Sequence, residues 1–178
     1  MIARTDPQAT SMTYARIAGF TFLFYIAAGI TSLSLGKEAN VTELLYLLQN
    51  LSAIVLGVTL YMLTREYGPA LALLALIFRS MEAIHDESEI FFAVGSLLFC
   101  WLLLRGKMIP TGLAWLGVTA SVLLVVILPL QLAGVITGAG WASSATWMIW
   151  MPMLVFEIAF ALWLLVKGIA LRAAPQSS

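Results

Sequence analysis

The chain has 178 residues, 62% hydrophobic and only 10% charged, with formal charges that sum to zero. A soluble domain of this length carries roughly 25% charged residues, so the composition describes a single integral membrane domain. No basic run is present to hold nucleic acid. The single cysteine, Cys100, rules out an internal disulfide, and the single histidine, His85, rules out a two-histidine zinc helix.

A short polar lead with Arg4, Asp6 and Pro7 opens the chain and is expected to be cytoplasmic rather than a cleaved signal. The apolar runs that follow predict six membrane helices, at about 14–35, 42–64, 68–85, 89–104, 111–136 and 147–171, each read by its length and its flanking breaks. The first contains Tyr25, Thr31 and Ser32, polar groups common in membrane helices. Gly36-Lys37-Glu38-Ala39-Asn40 turns the chain into the second helix, and Asn40-Val41-Thr42 matches a glycosylation acceptor by chance. Pro69 suits the first turn of the third helix. Asp86-Glu87-Ser88 gives the fourth an acidic, capping start, and the fourth ends at Arg105-Gly106-Lys107. Pro129 lies inside the fifth helix and Pro152 inside the sixth, each removing a backbone donor. The fold class is therefore all-α, a six-helix transmembrane bundle spanning 1–178.

Orientation follows from the cations. Arg4, Arg16, Arg65, Arg105, Lys107, Lys167 and Arg172 fall on one side, whereas the other has Lys37 with Glu38, Glu43, Asp86, Glu87 and Glu89. Both termini are expected in the cytoplasm, with Trp141, Trp147 and Trp150 at the outer interface.

Several motifs recur together in chain order. Ala15-Arg16-Ile17-Ala18-Gly19-Phe20 opens the first helix, Arg79 lies late in the third, and Phe92-Ala93-Val94-Gly95-Ser96-Leu97-Leu98-Phe99 fills the fourth. Ile109-Pro110 precedes Trp115-Leu116-Gly117, and Glu157 precedes Leu162-Trp163-Leu164-Leu165-Val166-Lys167-Gly168. This pattern resembles a bacterial family of integral membrane proteins catalogued as a domain of unknown function, number 4386. The likeness covers most of the chain, which is shorter than the usual member between the first two helices. The resemblance implies a bacterial cytoplasmic-membrane protein and six spans, and it implies no activity.

Ionisable groups inside membrane helices are costly and point to function. With a rise of about 1.5 Å per residue, Arg79 lies roughly 9 Å and Glu82 roughly 5 Å inside the outer end of the third helix. Gln49, Asn50, Ser96 and Gln131 fall roughly 10 Å below that surface on their own helices, and Glu157 roughly 15 Å below it. Depth thus gathers Arg79, Glu82, Glu157, Gln49, Asn50, Gln131 and Ser96 into one candidate ligand-binding layer or buried polar network.

The bland reading stands beside it. Arg79 can snorkel or pair with Glu82 three residues on, and the amides and Ser96 can serve as interhelical hydrogen-bond glue. A proton or ion relay is a third reading. Glu157 resists the bland one: alone at mid-depth it must be protonated, paired with Arg79 or hydrated. Glu82-x-x-His85 occurs once, where a di-iron bundle needs it twice, so it reads as an interfacial acidic turn. Cys100 reads as an inert core thiol.

Three function classes follow. The first is a small ligand-binding or transport protein with an outward-facing polar cavity. Next comes a non-catalytic accessory subunit of a larger membrane complex, and last an intramembrane enzyme, for which no nucleophile–base pair or catalytic residue can be assembled. No cofactor or metal is called for. The expected partners are membrane lipid, a small-molecule ligand, and a partner membrane subunit or second copy of the chain.

Overall fold

The computed structural model of the protein describes residues 7–35, 40–84, 88–136 and 143–169. The described residues form six α-helices and no strand: α1 Pro7–Leu35, α2 Asn40–Thr64, α3 Pro69–Glu82, α4 Ser88–Arg105, α5 Thr111–Leu132 and α6 Ser144–Val166. A 3-10 turn, Arg65–Tyr67, joins α2 to α3. Each helix packs against the next in sequence, and α1 packs against α6, so the six form a closed ring.

The ring has apolar faces inside and out. Its core holds Phe22, Leu56, Leu60, Phe99, Leu103, Leu124, Phe156, Phe160 and Leu164. The outward faces carry Phe20, Leu44, Val126, Met148 and Leu162, all exposed. A helix apolar all round suits a lipid surround, in which each backbone group is satisfied within its own helix. Buried hydroxyls follow the same rule: Thr59, Thr64 and Ser121 each donate to a carbonyl one turn back in their own helix.

Four segments, Thr10–Leu35, Val41–Tyr67, Thr111–Leu132 and Ser144–Val166, are long and apolar enough to cross a membrane. α3 is different. Its 14 residues span about 21 Å, short of a hydrocarbon core of about 30 Å.

Several helix ends differ from the sequence expectation, each for a local reason. α1 begins about two turns earlier, with Pro7 in its first turn. α3 stops at Glu82, where Ala83 and Ile84 donate to Ser80 and Met81 and tighten the last turn. α5 stops at Leu132 instead of about 136. Gly134 adopts φ +70°, its N–H meets the Gln131 carbonyl at 3.0 Å, and the Val135 N–H meets Leu130 at 3.0 Å. That paired closure is a Schellman stop, which a glycine permits without strain. α6 starts at Ser144 because the Ser143 hydroxyl accepts from the Ala145 N–H at 3.2 Å. It ends at Val166 rather than about 171. Arg4, Lys37, Glu38, His85, Asp86, Glu87, Trp141 and Arg172 lie outside the described residues.

Because neighbours alternate in direction, Arg16, Arg65, Arg105, Lys107 and Lys167 share one end of the ring, and Glu43, Glu82 and Glu89 lie towards the other. Closure of the ring depends on one small residue. A Cβ on Gly19 of α1 would fall 2.7 Å from the Ala161 carbonyl oxygen of α6, whereas a Cβ on Gly112 of α5 meets nothing within 4 Å. Gly19→Ala is therefore expected to lower stability by about 1–3 kcal/mol through overpacking. Gly112→Ala should be neutral or raise it by up to about 1 kcal/mol. Thermal unfolding of the two variants in detergent, side by side, checks the pair.

Candidate functional site

The last two turns of α3 turn two charges inward. Arg79 is 1% exposed and Glu82 is 6% exposed. Their spacing of three places both on one helix face, and Arg79 Nη1 lies 2.7 Å from Glu82 Oε2. This is a close charge pair rather than a well-aimed hydrogen bond, since none of the three guanidinium nitrogens, nor Glu82 Oε2, has a hydrogen-bond partner in line among the described residues.

The other Glu82 oxygen is held differently. Tyr25 of α1 donates its hydroxyl to Glu82 Oε1 at 2.6 Å, across 57 residues of sequence. The guanidinium carbon lies 4.9 Å from the centre of the Phe92 ring and 5.5 Å from that of Tyr25. Two aromatic faces thus supply part of the solvation that water gives an exposed arginine. Room for the side chain comes from two glycines. A Cβ at Gly95 of α4 would stand 3.2 Å from Arg79 Cγ and Cδ, and one at Gly57 of α2 would stand 3.2 Å from Arg79 Cβ.

Glu157 approaches from α6, 6% exposed. It shares with Arg79 a cavity also lined by Ser96 and Cys100 and by the rings of Phe22, Phe99, Phe156 and Phe160. The ion pair formed within 4.0 Å among the described residues is Arg79–Glu82, not Arg79–Glu157. The cavity offers about 10 Å³ to the centres of water molecules, room for roughly one. Cys100 is buried behind it with Ser121 Oγ 4.0 Å from its sulfur.

The remaining residues of the expected layer are dispersed. Gln49 is half-buried between α2 and α1, its Nε2 2.9 Å from where a Cβ on Gly29 would lie. Asn50 is exposed, and Gln131 is half-buried at the end of α5. Tyr25, Phe92 and Cys100 complete the cluster. The sequence reading named Tyr25 as a common polar group, Phe92 within a motif and Cys100 as an inert core thiol, and placed none of them in the polar layer. A tyrosine in a membrane helix carries little signal by itself, and its depth opposite Glu82 was the clue available.

A carboxylate stripped of its cation in a buried site is strongly unfavourable, whereas removing both charges is tolerated. Arg79→Met is expected to lower stability by about 3–5 kcal/mol, and Arg79→Met combined with Glu82→Gln to recover most of that loss. Tyr25→Phe should cost about 1–3 kcal/mol by removing one donor from a charged acceptor. Denaturant unfolding in micelles measures all three. A double variant no better than Arg79→Met would show that the pairing is not what Arg79 contributes.

No curated protein and no solved structure matches the chain. The family profile described as Domain of unknown function (DUF4386) matches residues 84–168, from the end of α3 through α6. Ser96, Cys100, Gln131 and Glu157 lie within the matched stretch, and Tyr25, Arg79 and Glu82 lie before it. Over residues 84–168, just under half of its length, the chain is similar to the DUF4386 family, whose function is unknown.

Proposed function

We propose that this chain is a small membrane-embedded binding or transport protein, with Arg79 and Glu157 as its recognition pair. The observation that supports this reading is a guanidinium 1% exposed, its Nη1 paired with Glu82 at 2.7 Å and its Nε and Nη2 without an acceptor among the described residues, facing a cavity shared with a carboxyl from another helix. Packing alone gains nothing from such an arrangement, because buried donors without acceptors are destabilising. A ligand with a polar or anionic group for Arg79 would remove that deficit. As it stands the cavity has room for roughly one water, so binding a solute requires the α3–α4 and α6 walls to part.

In this reading all six helices cross a bacterial cytoplasmic membrane, α3 and α4 as the short pair, with the Arg65, Arg105, Lys107 and Lys167 end in the cytoplasm. Glu82 and Tyr25 then lie towards the outer side, which gives the polar cavity its outward face.

Native mass spectrometry of the protein released from its own membrane tests the reading. The expected result is a small molecule bound to the wild-type chain and lost from Glu157→Gln, with both proteins folded. A wild-type chain that carries no bound mass beyond lipid, or that leaves the membrane with a stoichiometric partner polypeptide, would overturn it; the latter outcome describes an accessory subunit.

A further inference from the structure

The volume of the Arg79–Glu157 cavity sets the size of what it holds as it stands. About 10 Å³ is open to water centres, which corresponds to roughly one water molecule. The species that fits a site of that size, and that also suits a carboxyl, is a proton carried by water.

The charged and titratable groups around it can be taken helix by helix. α1 contributes Tyr25, whose hydroxyl is already given to Glu82. α2 contributes Leu60 to the wall and no charged group. α3 brings Arg79 and Glu82, paired at 2.7 Å. α4 brings Ser96 and Cys100 to the wall, with Glu89 in its first turn. α5 places Ser121 behind the Cys100 sulfur. α6 supplies Glu157.

One cation therefore serves two buried carboxyls, and the cluster balances when one of them carries a proton. The partners differ in kind. Glu82 has a guanidinium and a phenol donor at short range, the company a carboxylate needs. Glu157 has neither among the described residues and faces the water-sized space.

We propose that Glu157 and the cavity beside it form a proton-binding site, and that Arg79 moves between Glu82 and Glu157 as that proton leaves and returns. On release, the Glu157 O–H bond breaks, the proton passes to the cavity water, and the electron pair stays on the carboxylate; nothing is oxidised or reduced. The Arg79 N–H groups, unpartnered at Nε and Nη2, are then free to meet the new carboxylate. The Phe92 and Tyr25 rings stay beside the cation and lower the cost of its transfer. The site stands by itself, and where the solute-binding reading above holds, it deepens that reading by naming the proton as the coupled ion.

Infrared difference spectra between acidic and alkaline pH, on protein in lipid, test this directly. The expected wild-type signal includes a carboxylic acid C=O band that grows as pH falls. Glu157→Gln should lose it, and Glu157→Asp should keep it at a shifted frequency. Should Glu157→Gln fail to fold, the Asp variant carries the infrared test alone. A titrating band identical in the wild type and both variants overturns the proposal. Failure of the solute reading looks different: no bound solute by mass, with the Glu157 band intact.

Discussion

A guanidinium held 1% exposed among aliphatic and aromatic side chains constrains every helix near it. The charge needs a counter-charge, which Glu82 supplies from the same helix face. It needs polarisable neighbours, which Phe92 and Tyr25 supply. It needs width, and α2 and α4 provide that with glycines where a Cβ would stand 3.2 Å from the Arg79 stem, tighter than ordinary contact. Burying an ion pair is rarely a route to stability, since an apolar replacement of the same volume does at least as well. The arrangement is therefore better explained by what the charge does than by what it holds together.

The cluster also lies across the middle of the ring. Tyr25, Arg79 and Glu82 come from the arc α1 to α3, whereas Ser96, Cys100 and Glu157 come from the arc α4 to α6. The family match begins at residue 84 and covers the second arc. Each arc is made of three helices consecutive in sequence. A relative shift of one arc would change the distance between Arg79 and Glu157 while leaving Arg79–Glu82 within its own helix untouched. This makes the contact between arcs, rather than the ion pair inside α3, the place where a change of state would register.

Much of this architecture was legible in the chain. Six apolar runs separated by Gly, Pro and charged residues predicted six helices in the observed order, and a spacing of three predicted that Arg79 and Glu82 share a face. Helix ends were harder. The sequence reading ran past the Gly134 stop and missed the Ser143 cap, because in uncharged Gly/Ser/Ala-rich stretches many residues offer the same local chemistry and only the packed helix decides among them. Depth along each helix suggested Arg79 near Glu157 but could not say which carboxyl takes the guanidinium. That choice turns on rotamer and on the direction each helix faces. Tyr25 was harder still, because its role depends on a partner two helices away that no local pattern encodes. The short reach of α3 had a sequence cause, since the charges that define the site also end its apolar run.

Ring closure has a kinetic side. Gly168, just past the end of α6, packs on Met12 and Ala15 of α1, and Gly19 meets Ala161 and Leu165. These are the contacts most distant in sequence, and they join a helix made early to one made late. α2 through α5 each pack on their predecessor, whereas the flank of α1 that receives α6 is covered by the helix most distant from it in sequence. Long-range closure of that kind is the slow step of a fold. A chain in which α6 has not docked is an open horseshoe: Arg79 then has its aromatic and glycine seat from α1, α2 and α4 but lacks the helix that carries its second carboxyl.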